Sequence, residues 1–182
     1  MFTKDGSFQK VVFGTPEVIP LSTGDAGTYE TLEKMRGLVH ESITRPEVKE
    51  VAMRAIWNCP PSNPLCYSRG IYDYAKLRMR YVPDTFGVEE ITAPWVHAKR
   101  ILETGMSYGD CDDFSVFQSA MLNSIGVPTR FGVIATPKNG GKFDHVRVEA
   151  NVLGRWLPME TTRARAKFGE RFPELRSVYI EV

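Results

Sequence analysis

The sequence has no apolar run approaching the ~20 residues that a membrane-spanning helix needs, so no span is expected. Its opening lacks the basic-then-apolar pattern of a secretory signal, and the chain is expected to be made in the cytoplasm without one. Charge of one sign is also missing. Lys and Arg number 23 against 22 Asp and Glu, and the net charge of +1 gives no electrostatic case for nucleic acid or an acidic membrane as partner. Internal repeats and low-complexity segments are absent too.

Cysteine and histidine are scarce, with three of each in 182 residues. That scarcity argues against a zinc centre: Cys59 and Cys66 are spaced too widely for a knuckle, and no second Cys or His pair completes four ligands. Asp110, Asp112, Asp113 and Asp144 lack the glycine and distal glutamate of a calcium loop. No metal or other cofactor is expected. Cys59 and Cys66 flank a short Pro60–Leu65 loop that a disulfide could close, but two reduced thiols are the expectation for a cytosolic product.

What is present is an ordinary globular composition, 42% hydrophobic and 25% charged, in a length that suits one substantial core better than two. Residues 1–27 hold four glycines, two prolines and one short apolar run, Val11-Val12-Phe13, and read as an arm that could dock on another protein. Residues 28–182 read as a single domain. Its first part, 28–125, is helical: a stripe of Tyr29, Leu32, Met35, Leu38 and Val39; a second helix opened by Pro46; a third over Ser68–Met79; a fourth opened by Pro94. The rest, 126–182, is strand-rich, with segments near 130–135, 143–152, 155–159 and 178–182. Helices first and an antiparallel sheet afterwards is an α+β arrangement. The basic residues Arg163, Arg165, Lys167, Arg171 and Arg176 alternate with acidic ones and read as a solvated surface.

One cysteine stands out. Gly109-Asp110-Cys111-Asp112-Asp113-Phe114 precedes a run with helical spacing, so Asp110 can cap a helix that starts at Cys111, and Asp113 can close a capping box. A helix N-terminus favours thiolate, whereas three neighbouring carboxylates oppose it. Such a cysteine needs a cationic partner. His40 and His97 sit in polar-flanked helical stretches and read as solvated or satisfied residues. His145, by contrast, opens a strand in which Val146, Val148, Ala150 and Val152 alternate with polar residues. Beyond a Leu153-Gly154 turn, the return strand ends at Glu160, and antiparallel pairing brings residues near 145 and 160 together. Cys111, His145 and Glu160 thus form a candidate nucleophile, base and orienter, although the same residues also suit a helix cap, a strand-edge histidine and a surface glutamate that never meet.

The same residues carry a resemblance. The 109–114 motif, then Ala120–Arg130, then Asp144-His145-Val146, then Trp156–Thr162, in that order and with His145 34 residues after Cys111 and Glu160 15 after His145, resembles the transglutaminase-like cysteine superfamily. Within it the chain looks most like the compact proteins of tailed bacteriophages and prophages, which share the pattern seen here at Tyr81-Val82-Pro83-Asp84 and Glu90–Pro94. The resemblance implies a papain-like fold with Cys111 as nucleophile and His145 as general base. Where the superfamily usually has aspartate four residues after the tryptophan, this chain has Glu160. Asp144 is a substitute orienter, but strand neighbours point to opposite faces, and Glu160 is preferred.

The activity implied is attack on an amide through an acyl-thioester, resolved by water in a peptidase or amidase or by an amine in a cross-linker. The backbone N–H of Cys111 would hold the oxyanion, with Tyr81, Tyr108 or Trp95 as second donor. The substrate would be a protein or peptide. Other virion proteins are possible partners through the arm, with the protein incorporated in a phage particle. Two other classes compete: a tail or baseplate component that keeps the fold as a binding module with little turnover, and a redox or metal-binding protein built on Cys59, Cys66 and Cys111.

Overall fold

Proline opens three of the helices, at Pro46, Pro64 and Pro94, where its fixed φ suits the first turn and its missing N–H has no helical acceptor to lose. The computed structural model describes residues 22–84 and 90–182. Its elements run α1 Asp25–Ser42, α2 Pro46–Ala55, α3 Pro64–Arg78, β1 Met79–Tyr81, α4 Pro94–Thr104, β2 Ser107–Gly109, α5 Cys111–Ser124, β3 Thr129–Ala135, β4 His145–Val152, β5 Arg155–Pro158 and β6 Arg176–Glu181. The arm's short apolar run at 11–13 lies outside the described residues, and the first helix starts at Asp25 rather than Thr28.

Helix α5 is the centre of the molecule. It is buried without interruption from Asp112 to Leu122: Phe114, Val116, Phe117, Ala120, Met121 and Leu122 enter the core, and the polar Asp113, Ser115, Gln118 and Ser119 find hydrogen-bond partners inside. The helices α1 to α4 pack around one side and β3 and β4 cover the other. Full burial of a side chain such as Phe117 contributes ~1.5–3 kcal/mol. Gly126, with φ 80, follows the helix and lets the chain turn towards Pro128.

The main sheet has the order β5-β4-β3-β6, antiparallel throughout, which completes the α+β fold. Alternation on β4 turns Val146, Val148, Ala150 and Val152 inward with Phe131 and Val133 of β3. The β4–β5 hairpin closes through Leu153 and Gly154 at φ 53 and 81, the two left-handed positions of a tight turn that matches strand twist.

Two features depart from the sequence-based expectations. The approach to the cysteine is a strand, β2, which pairs in parallel with β1, so that Tyr81 lies opposite Gly109. Three-residue strands are too short for an alternation pattern to reveal them. The second is a correction: Cys59 and Cys66 are joined in a disulfide, not reduced. The Pro60-Pro61 turn and the Asn63 side chain, which accepts the Cys66 N–H at the start of α3, bring their Cα atoms to 5.7 Å.

Candidate active site

Asp110 caps α5 as its residue type requires, accepting the Asp112 N–H at 3.1 Å, so Cys111 is the first helical residue. Its amide has no acceptor within the helix. The expected capping box does not form. Asp113 turns away into the interior, where it accepts the Thr92 N–H at 2.8 Å and meets His97 Nε2 at 3.1 Å.

The sulfur lies between two influences. A backbone hydrogen bond from Val146, the residue after His145, favours the thiolate, while Asp112 Oδ1 accepts from the thiol at 3.5 Å. Burial first, and then the charges of Asp112 and Asp110, push the Cys111 thiol well above its ordinary range. The resting cysteine is therefore a thiol. Burial, which the sequence did not reveal, works against the thiolate more than the neighbouring carboxylates do.

His145 is the first residue of β4, and its side chain retains 12% exposure. Its Nε2 lies 2.5 Å from Glu160 Oε2. Glu160 is 1% exposed and its other oxygen accepts the Thr162 N–H at 3.0 Å and the Thr162 hydroxyl at 2.6 Å. Burial works against its charge, but the hydrogen bonds from His145 and Thr162 outweigh it and hold the carboxyl down at about 2, from an ordinary 4.5.

Three anchors hold the loop that carries Glu160. Gln118 of α5 donates to Thr161 Oγ1 at 2.8 Å; Tyr72 of α3 donates to the Ala166 carbonyl at 2.5 Å; Lys76 donates to the carbonyls of Ala164 and Ala166 at 2.9 and 3.0 Å. Helix α5, which carries Cys111, thus anchors this loop as well. Asp144, the alternative orienter, is occupied elsewhere, taking the Thr136 N–H at 2.7 Å and the Thr136 hydroxyl at 2.5 Å.

Of the candidates for a second oxyanion donor, Trp95 is partly buried against the core under the Arg45 guanidinium, 5.2 Å from its ring. Tyr108 and Tyr81 are about half exposed, at 54% and 53%. Burial, then the charges of Cys111, Asp110 and Asp112, raise the Tyr81 hydroxyl. His40 is exposed on α1. His97, read from sequence as a polar-flanked helical residue without a site role, is instead fully buried on α4. The signal was its spacing, four residues before Ile101 on the apolar stripe of that helix. Among the described residues, Asp110, Cys111 and Asp112 form the one group with metal-ligand atoms within 4.8 Å of one another. Asp110 in that group is committed to capping α5.

A helix-borne cysteine packed against a sheet whose strand starts with a histidine is the arrangement of papain-like proteins. The profile of the transglutaminase-like superfamily matches residues 58–161, more than half of the chain, and the chain belongs to that superfamily. Among solved structures it is similar to a candidate cysteine protease from Cytophaga hutchinsonii, with TM-score 0.51 and 18% identity over 71% of this chain and 42% of that one. It is also similar to a candidate protease from Parabacteroides distasonis, with TM-score 0.50 and 15% identity over 71% of this chain and 26% of that one. At such identity these likenesses speak to fold, and this chain spans less than half the length of either protein. No curated protein sequence matches.

Proposed function

We propose that this protein is a cysteine enzyme acting on amide bonds of a protein or peptide, with Cys111 as nucleophile, His145 as general base and Glu160 as orienter, in one catalytic domain over residues 28–182. The observation that carries this reading is the His145–Glu160 hydrogen bond at 2.5 Å, made by a buried, ionised carboxylate. With Nε2–H donated to Glu160, Nδ1 carries the lone pair, and the imidazole is held in the tautomer a base needs.

Because the thiol is protonated at rest, the proton passes from sulfur to His145 Nδ1 as the sulfur attacks the carbonyl carbon. The oxyanion is received by the Cys111 N–H, and Tyr81 is the second donor we favour, since of the three candidates it is the one whose polar group feels the charge of Cys111. The imidazolium then protonates the leaving amine, leaving an acyl-thioester. Water or an acceptor amine attacks that thioester while His145 takes its proton, and the thiol is restored.

Mass spectrometry of candidate host-wall and virion proteins, incubated with wild type and with Cys111→Ala, tests this proposal and separates its outcomes. New cleavage products indicate a peptidase, deamidated glutamines an amidase, and Lys–Gln cross-links an acyltransferase. Identical spectra for the two proteins contradict it. The phage setting, with the protein in a virion and residues 1–27 docking on its neighbours, is carried by the motif resemblance in the sequence.

A second reading keeps the fold as a tail or baseplate binding module with little turnover. The elevated thiol of Cys111 favours it. If Cys111→Ala leaves infectivity unchanged, the module reading prevails.

A further inference from the structure

Behind the nucleophile lies a second histidine–carboxylate pair that the mechanism does not use. His97 of α4, Ser107 of β2 and Asp113 of α5 are all fully buried. His97 Nδ1 meets Ser107 Oγ at 2.8 Å, and Nε2 meets Asp113 Oδ1 at 3.1 Å. Asp113 Oδ1 also accepts the Thr92 N–H at 2.8 Å, while Oδ2 has no hydrogen-bond partner. The Gly109 backbone lies directly on this carboxylate, and a Cβ at that position would come within 2.0 Å of Oδ2. The Phe117 ring stands edge-on to the imidazole, with centroids 6.0 Å apart.

No substrate reaches groups this buried, so the trio is not a second catalytic centre. Its value is in what it joins: the segment before α4 through Thr92, α4 through His97, β2 through Ser107, and the first turn of α5 through Asp113. The last two flank Gly109-Asp110-Cys111, the turn that sets both the sulfur and the Cys111 N–H. Buried and hydrogen-bonded, a polar cluster has few alternative arrangements, because each broken contact leaves an unsatisfied group in the interior.

We propose that His97 and Asp113 are positioning residues that lock the β2–α5 turn, so that the Cys111 sulfur and amide face one carbonyl in the geometry acyl transfer requires. This rests on Cys111 being an acyl-forming nucleophile. Ser107 donates its hydroxyl to Nδ1, Nε2–H donates to the Asp113 carboxylate, and Asp113 fixes the helix phase from beneath Cys111. Gly109 has no side chain because one would displace that carboxylate.

Acylation and alkylation of the same sulfur separate positioning from mere stability. Acylation by p-nitrophenyl acetate needs the sulfur and the oxyanion donor together, whereas iodoacetamide needs the sulfur alone. Both rates are measured on the full chain, well below each variant's melting temperature. His97→Phe is expected to lower Cys111 acylation about tenfold while alkylation stays within about threefold. His97→Gln, whose amide N–H can still serve Asp113, restores the ratio. Where His97→Phe does not fold, Ser107→Ala, which removes one hydroxyl donor, is expected to lower the ratio about threefold. A folded variant with lower melting temperature and the wild-type ratio overturns the proposal. Wild type that shows no Cys111-dependent acylation overturns the nucleophile assignment on which it rests.

Discussion

Glu160 lies just beyond β5 and reaches back to His145 at the start of β4, its Oε2 2.5 Å from the imidazole Nε2. The extra methylene of glutamate, relative to the aspartate usual in the superfamily, is accommodated by a loop that Gln118, Tyr72 and Lys76 hold in place. Charge and position are both supplied to the imidazole, and they can be tested apart.

Glu160→Gln keeps a hydrogen-bonding group at the same position but removes the charge that stabilises imidazolium and fixes the tautomer. We expect acyl transfer to fall on the order of a hundredfold, with KM changed much less. Steady-state kinetics on a substrate found by the mass-spectrometric screen reads both parameters. Glu160→Asp, the superfamily's usual residue, is expected to retain more activity than Glu160→Gln.

Acid stability follows from the same carboxylate. Its folded pKa, about 2, lies below the ordinary 4.5, so its stabilising contribution is complete above about pH 5 and is lost as pH falls through 4.5 towards 2. The size is roughly 3 kcal/mol at neutral pH. Urea melts of wild type and Glu160→Gln from pH 7 to pH 2 are expected to show a gap that is widest at neutral pH and closes in acid.

Burial first, and then Asp112, through its charge and as acceptor of the thiol at 3.5 Å, hold the proton on Cys111. Asp112→Asn should lower the thiol pKa and speed iodoacetamide alkylation at pH 7 by about tenfold. The pH profile of alkylation, with its midpoint moved down, distinguishes this from simple exposure of the sulfur.

The Cys59–Cys66 disulfide closes a short loop between α2 and α3, with a sequence separation of 7. Its reduction is expected to cost roughly 2–3 kcal/mol of stability by releasing the unfolded chain. Without reductant, iodoacetamide labels Cys111 and spares the other two cysteines; denaturant titrations with and without a phosphine reductant give the energetic part.

The long periodic elements were legible because their patterns are strong. Pro46 and Pro94 mark helix starts, the spacing after Cys111 reads as a helix, and the alternation after His145 reads as β4. The meeting of His145 and Glu160 was legible as well, since a tight turn at Leu153-Gly154 dictates the pairing. Contacts made by elements distant in sequence were not. No local pattern tells that Asp113 turns inward to His97 and Thr92 rather than capping its own helix. Nor does one reveal that Tyr72 and Lys76 reach some ninety residues along the chain to hold the loop after Glu160. The parallel β1–β2 pair was hidden by its length, and the disulfide by a choice between redox states that spacing alone does not decide.

His145, oriented by Glu160, is proposed to make Cys111 an acyl-accepting nucleophile. Intact-protein and peptide mass spectrometry after brief exposure to p-nitrophenyl acetate at neutral pH measures this directly. One acetyl group is expected on Cys111 of wild type, none at that position in Cys111→Ala, and strongly slowed acetylation in His145→Ala. Equal acetylation of Cys111 in wild type and His145→Ala would contradict that role of His145.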